Sequence, residues 1–288
     1  MKQREINRIA YTFLAVPLVI NIVFRVAPLI STFWLSFTEW DVLSSPKFNG
    51  LENFIGLFFD AIFKKSFMNT IEFSFVVTFF SVVIALVLAL ILNEKWFFGK
   101  AFLRVIFFIP SVCSLVAVSI IWMWLYDGEY GMINYFLVAL GFEAKRWLSN
   151  PRIALASLEV MTIWANIGFN MVIFLAGLQE VPNSLLEAAV IDGAGRMQQI
   201  MKIIIPILKP TTFFVVSTQF VRSFKIFGPV SVLTQGGPVN STNVLVYYLY
   251  QNGFQWFKMG YASTISVVLL ILIVTLTAIQ EKVFKTDY

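Results

Sequence analysis

"EAAVIDGAGRMQQIMKIIIP", residues 187–206, places charge, small residues, two glycines and a closing proline between two strongly apolar stretches. The order of these residue types predicts a short helix, a glycine break and a second helix that leads into the next apolar stretch. Gly193, or Gly195 just beyond it, is able to adopt a positive φ and end the first helix. Pro206 then lies near the mouth of the following apolar stretch. Residues 184–205 are therefore expected to form a structured loop between two membrane helices.

The start of this loop contains the pattern of a capping box. Ser184 is followed three residues later by Glu187, which predicts that the serine caps the helix and the glutamate bonds back to it. Ala188 and Ala189 are small, so another protein backbone is able to approach closely there. The alternative is a helix that lies on the bilayer surface and is held by its own leucines.

The composition predicts a membrane protein. The chain has 288 residues, of which 59% are hydrophobic and 13% charged, whereas soluble domains carry about 25% charged residues. Mean hydropathy is +0.81. There is no histidine and a single cysteine, Cys113, which removes the commonest general base and the usual metal ligands. We therefore expect no enzyme activity, metal site or cofactor in this chain. The net charge of +5 does not indicate nucleic acid, because the cations lie in the gaps between apolar runs.

Six apolar runs are long enough to cross a bilayer, which requires about 20 residues each. They predict one all-α membrane domain over residues 1–288, with an uncleaved first span and both termini on the same side. Three of the spans contain charges, Arg25 in the first, Glu159 in the outer third of the fourth and the pair Arg222 and Lys225 in the fifth. The predicted spans are about 9–36, 73–92, 105–126, 153–179, 210–232 and 259–280.

The distribution of lysine and arginine predicts cytoplasmic termini, because cytoplasmic loops carry the excess of these residues. The loop at 184–205 would then face the cytoplasm. The predicted cytoplasmic side has eleven cations and the outer side seven. The cytoplasmic set is Lys2, Arg4, Arg8, Lys95, Lys100, Arg104, Arg196, Lys202, Lys209, Lys282 and Lys285, and the outer set is Lys47, Lys64, Lys65, Lys145, Arg146, Arg152 and Lys258.

A resemblance to a known family rests on the loop and on further motifs in order along the chain. "LLEAAVIDGAGRMQQIMKIIIPILKP" resembles the EAA loop of binding-protein-dependent ABC importer permeases, with Ile205-Pro206 in place of the usual Leu-Pro. Further segments are similar to the carbohydrate branch of these permeases. They are "FNGLENFIGLF", "YGMINYFLVALGF", "RWLSNPRIAL", "GFNMVIFLAGLQEVP", "TQGGPVNSTNVLVYYLY" and "MGYASTISVVLLILI".

The resemblance implies the type I ABC importer permease (MetI-like) fold in the cytoplasmic membrane. It implies a second, related permease, two cytoplasmic ATPase subunits that bind ATP and magnesium, and an extracytoplasmic binding protein. The EAA loop would dock in a groove of the ATPase, which assigns ATPase coupling to Glu187, Ala188, Ala189, Asp192 and Gly193. The chain itself has no GxxxxGK[ST] phosphate loop, in agreement with a permease that binds no nucleotide.

Two pairs of polar residues are candidates for the substrate pathway. Arg222 and Lys225 are three residues apart, and Asn166 and Asn170 are four apart, so each pair shares a helix face. The cations would line a cavity, or else extend toward the interface or bond to Glu159 or to the partner subunit. The asparagines would contact sugar hydroxyls, or else hydrogen-bond between helices.

The sequence thus predicts a permease subunit that imports a carbohydrate, with an oligosaccharide as the favoured substrate. An anionic sugar or a phosphorylated polyol is the alternative substrate. An ion-coupled secondary transporter with Glu159 as the ion site is the competing class of function, and a structural membrane scaffold is a third.

Overall fold

A computed structural model describes residues 3–94 and 99–284 of the chain. Three of the cations used to predict orientation, Lys2, Lys95 and Lys285, lie outside the described residues. The described part is helical except for one two-stranded antiparallel hairpin, in which Thr38 pairs with Phe48 and Glu39 with Lys47.

Within residues 3–94 and 99–284, fifteen α-helices and the two strands follow one another, with π-helical turns at Ile22–Val26, Ile200–Ile204 and Gln251–Gln255. In order, the elements are α1 Gln3–Asn21, α2 Ala27–Leu35, β1 Thr38–Glu39, β2 Lys47–Phe48, α3 Glu52–Phe59, α4 Ala61–Asn93, α5 Lys100–Val112, α6 Leu115–Leu125, α7 Met132–Ala139, α8 Ala154–Gln179, α9 Asn183–Ile191, α10 Arg196–Gln199, α11 Ile205–Ile207, α12 Lys209–Phe224, α13 Gly228–Leu233, α14 Leu245–Tyr250 and α15 Met259–Phe284.

The chain divides into two compact units. The first contains the chain up to Asp60 together with Tyr248–Ile271. Within it, the carboxylate of Asp60 accepts hydrogen bonds from the hydroxyls of Tyr248 at 2.5 Å and Tyr261 at 2.6 Å. The amide of Asn53 donates to the carbonyl oxygen of Thr38 at 2.9 Å and so ties α3 to the hairpin. Partly buried polar bonds of this kind connect the loops and helices of this unit.

The second unit contains Ala61–Tyr247 and the chain from Leu272. Its centre is the packing of α4 and α5 along α8, with α12 against α4. A cluster of buried side chains fills the space between these helices, with Ala85, Met171, Phe174 and Val215 fully buried. Gly168 allows α5 to approach closely, because a Cβ there would lie 1.9 Å from the carbonyl oxygen of Phe107. These helices hold the loop and the polar residues described below.

Among the described residues, four helices are long and apolar enough to cross a membrane, or six if each of two bent pairs is one span. The predicted span 105–126 is not one straight helix, since α5 and α6 meet at 102°. Pro110 in the last turn of α5 contributes no N–H, and the backbone is extended at Cys113 and Ser114.

The predicted span 210–232 is likewise interrupted. α12 ends at Phe224 and α13 begins at Gly228, so Lys225 lies at the break rather than inside a helix. The helix from Arg196 to Ile207 is also bent by 68° relative to Lys209–Leu233. The two charges predicted within this span therefore lie at the end of α12, Arg222 in its last turn and Lys225 at its C-cap.

Candidate coupling loop and substrate pathway

The loop between α8 and α12 begins with α9, which differs from the sequence prediction at its first turn. The helix starts at Asn183, its N-cap is Pro182, and no side chain caps it. The predicted capping box of Ser184 and Glu187 is therefore wrong. Pro182 has the extended backbone of an N-cap, at φ −64° and ψ 124°. The helix therefore begins at Asn183, and Ser184 lies inside its first turn instead of at the N-cap. The carboxylate of Glu187 makes no hydrogen bond or ion pair to the described residues.

The end of α9 is a Schellman motif. Gly193 has φ +79°, and the N–H of Ala194 donates to the carbonyl oxygen of Ala189 at 2.8 Å. The N–H of Gly193 donates to the carbonyl oxygen of Val190 at 3.0 Å. These are the two bonds that define the motif, and they satisfy carbonyl groups that the helix end would otherwise leave open. The predicted glycine termination is thus observed at Gly193.

A second set of polar contacts orders the start of α10. The side-chain oxygen of Gln198 accepts a hydrogen bond from the N–H of Gly195 at 3.0 Å. The amide of Gln199 donates to the carbonyl oxygen of Ala194 at 3.2 Å. Arg196 forms an ion pair with Glu94, which directly follows α4. The segment after the Schellman motif is therefore attached to the end of a long membrane helix.

The exposed side chains of α9 combine a carboxylate with apolar surface. Glu187 and Ala188 are exposed, Val190 is 61% exposed and Ile191 is 87% exposed, whereas Ala189 is only 9% exposed. Asp192 and Gly193 are exposed as well. Four of the five predicted coupling residues therefore lie on the surface, and Ala189 packs inside the chain. Exposed apolar patches bordered by polar residues are typical of protein interaction sites.

A cavity of about 410 Å³ lies between α5, α8 and the break after α12. Three of the four predicted pathway residues, Asn166, Arg222 and Lys225, line it. The guanidinium of Arg222 lies over the ring of Phe169, with 4.3 Å between its central carbon and the ring centroid. No ion pair joins either cation to Glu159 or to another acid among the described residues. The cations thus reach the cavity without a compensating charge from the part of the chain that the structure describes.

The two predicted asparagines have different surroundings. Asn170 is 1% exposed, and its amide donates to the side-chain oxygen of Gln219 at 3.1 Å. It is not among the residues that line the cavity, and its bond to Gln219 is of the helix-to-helix kind named as the alternative interpretation. Asn166 lines the cavity, and its amide donates to the carbonyl oxygen of Thr162 at 2.8 Å.

Several other residues that line the cavity were not among the site residues predicted from the sequence. Gln219 and Ser223 line it, and a hydrogen bond of 3.3 Å joins the amide of Gln219 to the hydroxyl of Ser223. Their spacing of four residues on α12 is a signal of a shared face, but it does not reveal that α8 lies opposite. Cys113, the single cysteine, is exposed and also lines the cavity.

The chain matches known proteins over most of its length. The family model described as "Binding-protein-dependent transport system inner membrane component" matches residues 81–285. The probable ABC transporter permease protein YesP of Bacillus subtilis (strain 168) is 36% identical over 99% of this chain and 92% of that protein. The sn-glycerol-3-phosphate transport system permease protein UgpA of Escherichia coli O157:H7 is 32% identical over 94% of this chain and 92% of that protein.

Solved structures confirm the expected fold. The crystal structure of a bacterial alginate ABC transporter, in complex with an alginate pentasaccharide-bound periplasmic protein, has a TM-score of 0.85 and 22% identity, over 100% of this chain and 99% of that one. The inward-facing MetNI methionine ABC transporter has a TM-score of 0.53 and 20% identity, over 81% of this chain and 97% of that one. At these identities the likeness shows the fold alone. Together with the family match, it shows that this multi-pass membrane chain belongs to the binding-protein-dependent transport system inner membrane components, the family that its EAA-type loop resembles.

Proposed function

We propose that this chain is the permease subunit of an ATP-driven importer and that residues 183–195 dock on a cytoplasmic ATPase. The observation that carries the proposal is the form of α9. It is a short helix with a fixed C-terminal cap, and its exposed face combines Glu187, Ala188, Val190 and Ile191. A helix of this kind presents a preformed surface, so docking costs little conformational entropy.

The importer would contain partners that supply what this chain lacks. A second, related permease would complete the membrane part, and two ATPase subunits would bind ATP and magnesium and carry out hydrolysis. An extracytoplasmic binding protein would deliver the substrate. This arrangement requires that both termini and the loop at 184–205 face the cytoplasm. The permease itself would have no catalytic residue, and Glu187 would contribute a polar docking contact rather than proton transfer.

The proposed substrate is a carbohydrate, and an oligosaccharide is the favoured form. The cavity combines amide and hydroxyl groups from Asn166, Gln219 and Ser223 with the cations of Arg222 and Lys225. Groups of these types bind the hydroxyls of sugars. Among the similar proteins, one is named for the transport of sn-glycerol-3-phosphate and one structure for alginate. The cavity of about 410 Å³ lies within the 300–1,000 Å³ that is typical of small-molecule sites.

Coupling would follow from the connection of the loop to the membrane helices. Closure of the ATPases around ATP would displace the docked α9. The Schellman motif and the ion pair of Arg196 with Glu94 would transmit this displacement to α10 and to the end of α4. The membrane helices would then move as rigid bodies between inward-open and outward-open states.

An uptake measurement in proteoliposomes tests this function against the competing class. The complete importer, purified with the proteins encoded beside it, is expected to accumulate labelled sugar only with ATP, the ATPase and the binding protein. A proton or sodium uncoupler should have no effect on this uptake. Uptake that persists without ATP and collapses with an uncoupler would favour a secondary transporter. In that case Glu159, which is 6% exposed and has a side-chain oxygen without a described partner, would be the ion site to mutate.

A further inference from the structure

We propose that the substrate carries an anionic group, a carboxylate or a phosphate ester, and that Arg222 and Lys225 hold this group in the cavity. The inference rests on the proposed function, because it names the class of substrate that the importer carries. The shared chemistry is a sugar or polyol that bears a negative charge. A uronate and a sugar or polyol phosphate are the two sources of that charge.

The first argument is the charge balance of the cavity. Arg222 and Lys225 line it, and none of the described residues that line it is Asp or Glu. The described residues form one ion pair, Arg196 with Glu94, and it lies in the loop rather than in the cavity. Both cations are exposed in this chain, so a ligand in the cavity is able to reach them, and cations that line a cavity within a membrane protein mark substrate or ion pathways. An anionic ligand would neutralise them, whereas a neutral sugar would leave both without a counter-charge.

The second argument is the position of Arg222. The central carbon of its guanidinium lies over the ring of Phe169, 4.3 Å from the ring centroid, and the side chain makes no hydrogen bond to described residues. A cation over a ring keeps its N–H donors around the edge of the planar group. That edge matches the paired oxygens of a carboxylate or a phosphate. The ring thus holds the guanidinium in place while its donors remain available.

The third argument is the difference between the neutral and the charged donors of the cavity. The amide of Asn166 donates to the carbonyl oxygen of Thr162, and the amide of Gln219 donates to Ser223, so each keeps one further N–H for a sugar hydroxyl. The hydroxyl of Ser111 donates to the carbonyl oxygen of Ala165. Arg222 and Lys225 make no hydrogen bond to the described residues, and as charged donors they favour an acceptor that carries negative charge.

Uptake by the assembled importer in proteoliposomes tests the proposal with three probes: an oligouronide, sn-glycerol 3-phosphate and a neutral oligosaccharide of similar size. We expect uptake of at least one anionic probe. R222Q/K225Q should reduce that uptake at least tenfold, and R222K/K225R, which keeps both charges but removes the planar group from position 222, should restore part of it. The matched control K64Q/K65Q removes the same charge from exposed lysines at the start of α4 and should leave uptake unchanged. Uptake of the oligouronide but not of the phosphate identifies the source of the charge as a carboxylate, and the reverse result identifies a phosphate ester.

The outcomes separate this inference from the proposed function. ATP-dependent uptake of the neutral probe alone would overturn the inference and leave the importer function intact. ATP-dependent anionic uptake that R222Q/K225Q leaves unchanged would also overturn it. If R222K/K225R lost as much uptake as R222Q/K225Q, the positive charges would not be what the substrate requires. That result would assign the two residues a structural role and overturn the inference. No ATP-dependent uptake of any probe would instead contradict the proposed function.

A second readout does not depend on delivery by the binding protein. Cys113 lines the same cavity, so its rate of modification by charged methanethiosulfonate reagents reports the local potential. The measured quantity is the modification rate with the anionic sulfonate reagent divided by the rate with the cationic ammonium reagent. This ratio should be about fivefold higher in the assembled wild-type importer than in the R222Q/K225Q importer. Equal ratios in the two proteins would mean that an acid of the partner or the lipid interface already neutralises the cations, and would overturn the proposal.

Discussion

Replacement of Gly193 tests how the loop keeps the form needed for docking. The residue has φ +79°, and a Cβ added there would meet nothing within 4 Å. Steric clash is therefore absent, and the whole cost of Gly193→Ala comes from the left-handed backbone, about 1–2 kcal/mol. The free loop of the variant relaxes out of the Schellman motif, so docking must restore the strained form. The Kd for the ATPase should rise by about 5–30-fold.

Two further variants separate backbone conformation from side-chain bulk. Gly193→Asn adds a larger side chain than alanine, but asparagine tolerates the left-handed region, so most of the affinity should return. Gly195→Ala is the matched control, because Gly195 has φ −69° and ψ 164°, which any residue adopts, and open space around it. Gly195→Ala should change the free energy of ATPase binding by no more than about 0.5 kcal/mol.

Titration of the purified ATPase onto the permease in lipid nanodiscs measures these affinities, and ATP-dependent uptake measures their consequence. The expected order of affinity is wild type equal to Gly195→Ala, then Gly193→Asn, then Gly193→Ala. If Gly193→Asn bound more weakly than Gly193→Ala, bulk at the interface rather than the backbone would control docking. If Gly193→Ala bound as tightly as wild type, the reasoning from the Schellman motif would be refuted.

Three other substitutions follow from contacts in the second unit, and each is checked by thermal unfolding in detergent. Glu187→Gln should leave Tm unchanged, because the carboxylate caps no helix, but it should weaken ATPase docking. A decrease of about 1 kcal/mol in the free energy of unfolding would indicate that Glu187 is a cap after all. Asn170→Ala should lower the free energy of unfolding by about 1–3 kcal/mol, because it leaves the buried oxygen of Gln219 without its donor. The double variant with Gln219→Ala should lose less stability than the sum of the two single variants. Gly168→Ala should cost about 1–3 kcal/mol or more because its Cβ would overlap the carbonyl oxygen of Phe107 and displace α5, and a wild-type Tm would refute that close approach.

Features that depend on one residue's own backbone were accessible from the sequence. The end of α9 at Gly193 is an example, because the need for a positive φ is local and glycine meets it at little cost. The start of the same helix was predicted wrongly. Ser184 is a good N-cap by residue type, but the extended backbone at Pro182 places the first turn earlier, at Asn183.

Breaks within apolar runs were harder to predict because hydropathy averages over a window and does not detect a bend. The run over 105–126 has no charge, yet its backbone turns at Cys113 and Ser114. Pairings between distant residues were inaccessible for a different reason. Asn170 and Gln219 lie on separate helices, and only the packing of α8 against α12 determines that they meet. The sequence left helix bonding and substrate contact open for Asn170, and the structure shows a bond between helices.

Site-specific cross-linking from α9 tests the central claim, docking of this helix on an ATPase, most directly. With Cys113→Ser as background, Ile191→Cys places a thiol at a position that is 87% exposed, and Ala189→Cys places one at a position that is 9% exposed on the same helix. With a short cross-linker that has a thiol-reactive end for the introduced cysteine and a photoreactive end for the ATPase, the account predicts a product between the ATPase and position 191 in the assembled importer, and none from position 189. An ATPase that assembles and supports uptake without any cross-link from position 191 would contradict the account.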